Sequence, residues 1–133
     1  MRTLFALVAA AALTGPALAQ QPGFAKPDLV LHQAVTGLPN AAKQDVRVMT
    51  AVFKPGDRTV PHTHRFPVTV YVLEGAFTLE LEGREPIVVK AGESLVEPPH
   101  VKMTGYNRSP TDPLRVVIFY VSDVGTPFLD HSH

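Results

Sequence analysis

No cysteine occurs anywhere in this chain of 133 residues, so disulfides are excluded as a source of stability. There is no excess of one charge either: 12 basic side chains meet 12 acidic ones, and the pI is near 7.0. Nothing in that balance steers the chain toward nucleic acid or a lipid surface. The chain also lacks an apolar run of the roughly 20 residues needed to span a bilayer. Beyond the first residues it has no convincing 3.6-residue periodicity, internal repeat or low-complexity tract, so the sequence offers no amphipathic helix and no solenoid.

What is there begins with MRTLFALVAAAALTGPALA, which sets a basic start at Arg2 before an apolar run from Leu4 to Leu13. A Gly15-Pro16 break and the small residues Ala17 and Ala19 follow. This is the layout of a secretory signal peptide, and cleavage is expected after Ala19, placing the mature protein in the periplasm or outside the cell. A mature chain starting at Gln20 is a small domain with one core and no membrane association. Its stability must come from packed apolar faces, with help from oligomerisation or a metal.

Residues 20–43 are punctuated by Pro22, Gly23, Pro27, Gly37 and Pro39, the pattern of an irregular arm with room for one short strand at Asp28–His32. Residues 44–133 change character. Strand-like runs are expected at Val46–Phe53, Thr69–Leu73, Phe77–Glu82, Ile87–Lys90, Ser94–Glu97, Val101–Gly105 and Leu114–Val121, with turn signals such as Pro55-Gly56, Glu74-Gly75 and Ala91-Gly92 between them. Short strands so spaced argue for an all-β sandwich or barrel. Alternation directs Phe77, Leu79 and Leu81 to the core and Thr78, Glu80 and Glu82 to water. The run LRVVIFYV, apolar on both sides, reads as a central strand covered on both faces. The closing DHSH reads as a solvated tail carrying His131 and His133.

Chemistry is suggested by His62 and His64, which lie two apart and so project to one side of a strand as half of a chelate. Two segments frame that pair: GDRTVPHTHRFPVTVYVLEG from Gly56 and GESLVEPPHVKMTGYN from Gly92. Together they resemble the two motifs of the cupin superfamily, G-x5-H-x-H-x3,4-E-x6-G and G-x5-P-x-G-x2-H-x3-N, across residues from about Val46 to Val121. The resemblance implies an antiparallel jelly-roll β-barrel with a metal held by His62 and His64, and it also matches Gly92, Pro98 and Asn107. Two ligand positions differ. Thr69 stands at the place of the family glutamate and Met103 at that of the second-motif histidine, while His100 replaces a glycine.

The resulting metal set, His62, His64, Met103 and His100, pairs imidazoles with a thioether. Such a set suits copper, Cu(I) above all, whereas zinc would take the imidazoles and complete its shell with water or His100, and iron stays open. Met103 also reads as core filler, and Tyr71 is expected to share the lumen with Thr69. Glu97, just before Pro98, is open as a substitute for the missing lumen carboxylate but reads more readily as a solvated turn residue, and Asn107-Arg108-Ser109 reads as a structural turn more than a glycosylation acceptor. Family members include dioxygenases and isomerases, so the resemblance implies a metal-dependent oxygenase or isomerase acting on a small molecule. A non-enzymatic metal or small-ligand barrel and a metal-free barrel stay open beside it. A homodimer is implied by the resemblance alone.

Overall fold

The computed structural model describes residues 19–132. The leader expected over residues 1–19, apart from Ala19, lies outside them, as does His133. Nine strands follow an extended N-terminal arm: β1 (Gln44–Phe53), β2 (His62–Thr63), β3 (Val68–Glu74), β4 (Ala76–Leu81), β5 (Ile87–Lys90), β6 (Ser94–Glu97), β7 (Met103–Tyr106), β8 (Leu114–Asp123) and β9 (Asp130–His131). All pairings are antiparallel and form two sheets, in the orders β1-β8-β3-β6 and β5-β4-β7-β2-β9. The all-β, jelly-roll expectation is met. The barrel is not closed, since no ladder joins the two sheets among the described residues.

Period-two alternation fixes what faces inward. Val68, Val70 and Val72 of β3, Phe77, Leu79 and Leu81 of β4, and Leu114, Val116 and Tyr120 of β8 are buried and meet in a single apolar cluster with Met103. This phase sets Thr69 and Tyr71 on the opposite, outer side of β3, where they pair with Phe119 and Val117 of β8. The two do share a face, as expected, but it is not the lumen. Thr78, expected in water, is buried. β8 does lie between β1 and β3, yet its outer side is half open in this single chain: Phe119, with Val46, Val48 and Val52 of β1, is among the exposed apolar residues.

Turn chemistry does the rest. Gly75 has φ +80, and a Cβ there would lie 2.5 Å from the Pro113 carbonyl oxygen, so the β3–β4 turn accepts only glycine without a shift. Asn107 is buried, and its Nδ2 donates to the carbonyls of Phe53, Lys54 and Asp112, pinning the chain that enters β8 to the end of β1. This is the structural turn that the sequence suggested. Two elements were not among the expected strand runs: the two-residue strands β2 and β9, which pair with each other. No strand forms at Asp28–His32.

Candidate metal centre

β2 sits between β7 and β9, and His62 is paired with Met103 on one side and His131 on the other. Both His62 and His64 are buried, 4% and 1% exposed. His62 Nδ1 lies 2.7 Å from the Val60 carbonyl oxygen, and His64 Nδ1 lies 2.7 Å from that of Phe128. A carbonyl can only accept, so each Nδ1 donates to it, and each ring in its neutral form presents a lone pair at Nε2. Those two Nε2 atoms face each other at 3.2 Å. The His64 Nε2 is also 3.1 Å from Oε2 of Glu97.

Glu97 is 5% exposed and is not a solvated turn residue. It ends β6, where the alternation that buries Leu95 also turns Glu97 inward. That alternation was readable in SLVE; the neighbouring Pro98-Pro99 drew attention to a turn instead. His62, His64 and Glu97 offer one ligand atom each, all within 4.8 Å of one another. Three ligand atoms so close, with both Nδ1 protons engaged elsewhere, form a set that can hold a metal ion between them. Two nitrogens bound tetrahedrally to one ion at about 2.0–2.1 Å stand about 3.3 Å apart, so the 3.2 Å separation fits shared ligation. Burial is the main cause that lowers the His62 pKa and so favours the neutral, ligating ring, an effect partly offset by the hydrogen bond to the Val60 carbonyl.

The two other sequence candidates are placed differently. Met103 is buried beside His62 and pairs with Leu81 on its other side. It is not among the residues that line the cavity next to the histidines. His100 is exposed and lies outside the cluster. Its φ of +61 is the left-handed conformation that glycine adopts freely, and its amide donates to the His64 carbonyl at 2.8 Å. His100 therefore supports the site through its backbone. Thr69, facing outward, brings no ligand, and the strand neighbours that do face inward are Val68 and Val70.

The cavity beside the cluster has a volume of about 60 Å³. Its walls are apolar, from Phe53, Val70, Phe77, Val116, Ile118 and Phe128, and apart from His62, His64 and Glu97 the only polar side chain among the described residues lining it is Thr59, which already accepts from the Gly105 amide. One water occupies about 30 Å³ of liquid, so this space suits an ion with one or two molecules of water or dioxygen size. It is far below the roughly 300 Å³ at which pockets for drug-sized ligands begin.

Part of the wall is the C-terminal segment, which is docked and not a solvated tail. Phe128 packs on His64 with ring centroids 4.9 Å apart, and Leu129 lines the cavity. Arg65 grips Asp130 through two hydrogen bonds, of 2.8 and 2.9 Å, and holds its carboxyl below the ordinary range.

Comparison with known proteins agrees with this architecture. A cupin-like protein from Thermotoga maritima superposes with a TM-score of 0.57 at 24% identity, over 65% of this chain and 64% of that one. An RmlC-like cupin with a double-stranded β-helix fold from Methanocaldococcus jannaschii gives 0.54 at 27% identity, over 58% of this chain and 70% of the other. The polyketide cyclase RemF from Streptomyces resistomycificus gives 0.53 at 26% identity, over 66% and 61%. The chain thus spans less than two thirds of the length of the Thermotoga protein and of the cyclase. The search of curated proteins returned no match. The Cupin domain family model matches residues 49–120, more than half of the chain and all of the site, and the chain belongs to the cupin family.

Proposed function

We propose that this protein is an exported metal-binding cupin in which His62, His64 and Glu97 hold a divalent first-row ion that meets a small molecule in the apolar chamber. The observation that carries this reading is the convergence of three lone-pair donors, two of them oriented by Nδ1–H bonds to backbone carbonyls. Two imidazoles and one carboxylate suit iron, zinc or their neighbours, and the carboxylate moves the preference away from Cu(I), which favours soft ligands. When bound, such an ion supplies Lewis-acid polarisation or, for iron, one-electron chemistry. The chain's own residues fix the ligand rings, exclude bulk water through Phe53, Phe77 and Phe128, and bound the size of what can approach.

An oxygenase or isomerase fits this frame, as does the cyclase activity named for the Streptomyces relative, because each needs an open coordination position and a sheltered substrate. One observation favours the non-enzymatic alternative, a metal or small-ligand holder: among the described residues no acid or base other than His62, His64 and Glu97 lines the chamber. Export rests on the leader-like residues 1–19.

The test is elemental analysis of the mature protein purified from its export compartment, beside His62→Ala and Glu97→Gln. Near-stoichiometric iron or zinc that is lost in both variants supports the site. A metal-free protein with no thermal shift on adding metals overturns it, because a ligand bound only to the native state must raise apparent stability. Oxygen consumption or turnover by the loaded protein then separates enzyme from holder.

A further inference from the structure

The C-terminal segment is fastened unevenly. Its root is fixed to β1: Arg47 donates to the Thr126 carbonyl, and the Gly125 amide donates to Asp45. Among the described residues its far end is held by the two-residue strand β9, the Ser132 amide bond to the Pro61 carbonyl, and the Arg65–Asp130 pair, whose side chains are about half and two fifths exposed. Between root and tip lie the two groups that matter to the metal centre, the Phe128 carbonyl that fixes the His64 tautomer and the Phe128 and Leu129 side chains that close the chamber. A segment with a firm root, a lightly held tip and a ligand-orienting carbonyl in the middle can swing as one piece. When it does, it opens the chamber and frees His64 Nδ1 together.

We propose that residues Phe128–Ser132 form a strap that is both the removable wall of the chamber and the positioning element of His64, with Arg65 and Asp130 as its fastening. The strap rests on the metal reading for its purpose, although its effect on His64 does not need a metal. Ligand exchange at the site is then limited by release of the tip, and the site holds its ion more loosely whenever the Arg65–Asp130 pair is broken. Partners that orient a ligand histidine change metal affinity about 10- to 100-fold in other sites, which sets the size of effect to look for.

The experiment uses Arg65→Ala, Asp130→Ala and the charge-swapped pair Arg65→Asp with Asp130→Arg. In the metal-free protein, histidine nitrogen NMR reads the His64 tautomer: wild type is expected to show a single Nδ1–H form, both single variants a mixture, and the swapped pair the wild-type form again. In cobalt(II)-loaded protein, release to excess EDTA is expected to be at least about tenfold faster in the single variants and restored in the swapped pair. An unchanged His64 tautomer and unchanged release in both single variants overturn the strap. A wild type that binds no cobalt sinks the metal reading, and the NMR arm still decides whether the tail positions His64.

Discussion

His64 Nε2 and Glu97 Oε2 approach to 3.1 Å in a buried site where neither atom has a proton to give while the imidazole is neutral and the carboxylate ionised. That relationship makes opposite predictions for the loaded and empty protein. Glu97→Gln keeps the shape but supplies an N–H that can donate to His64. The empty variant is therefore expected to be more stable than wild type by about 1 kcal/mol, the net worth of one buried hydrogen bond. Its stabilisation by added zinc should vanish. Thermal melts with and without metal read both effects, and a variant that still gains the wild-type shift on adding zinc would remove Glu97 from the ligand set.

Proton competition gives a second prediction. Burial depresses the His62 pKa, so the unfolded chain binds a proton at this position more readily than the folded one. The stabilising contribution of neutral His62 is fully present above the ordinary histidine pKa of about 6.5 and is lost as pH falls from there through the lowered folded value. Metal affinity follows in the same direction, because a protonated imidazole cannot ligate. Zinc titrations at stepped pH should show affinity falling as pH drops below about 6.5 through the lowered folded value of His62. A profile that stays flat until the protein unfolds in acid would count against histidine ligation.

What the sequence carried well was periodicity. All seven expected strands stand within two residues of their expected ends because they pair along ladders, and the glycine turns between them follow from φ signs that only glycine adopts without strain. What it carried poorly was phase and the short pieces. Thr69 appeared as the stand-in for a glutamate because spacing was counted along the chain, whereas Val68, Val70 and Val72 decide which side of β3 is inside. Glu97 was legible through its step of two from Leu95, and the adjacent prolines masked it. β9 has no propensity of its own; it exists because Asp130 meets Arg65 and the backbone meets β2, and both are contacts across more than 60 residues.

His100 offers a clean separation of backbone from side chain. Held at φ +61 with an exposed ring, it has a conformation that costs an ordinary residue about 1–2 kcal/mol, against which glycine loses about 0.5–1 kcal/mol in unfolded-state entropy. His100→Gly should therefore leave metal stoichiometry unchanged and raise stability by roughly 0.5–1 kcal/mol, readable as a shift in urea midpoint. Loss of metal in this variant would make the His100 ring a ligand after all.

Met103 can be tested by its size. Buried against Leu81 and beside His62, but absent from the chamber lining, it fills core space that leucine fills nearly as well. Met103→Leu should cost less than about 1.5 kcal/mol and leave the order of metal affinities as in wild type. A selective fall in Cu(I) affinity, with zinc unchanged, would show that the thioether reaches the ion.

The chamber's size makes the last prediction kinetic. A chamber of about 60 Å³ is expected to take azide more readily than catechol while Phe128 and Leu129 are in place. Azide should therefore bind cobalt-loaded protein at a rate proportional to its concentration. Catechol must wait for an opening, so its observed binding rate should rise at low concentration and then level off at the rate at which the wall moves. Phe128→Ala enlarges the entrance, and the catechol rate should then lose its plateau and rise linearly, as the azide rate does. If catechol already binds the wild type without a plateau, the chamber is open to solvent on the timescale of binding and its walls set no limit on substrate size.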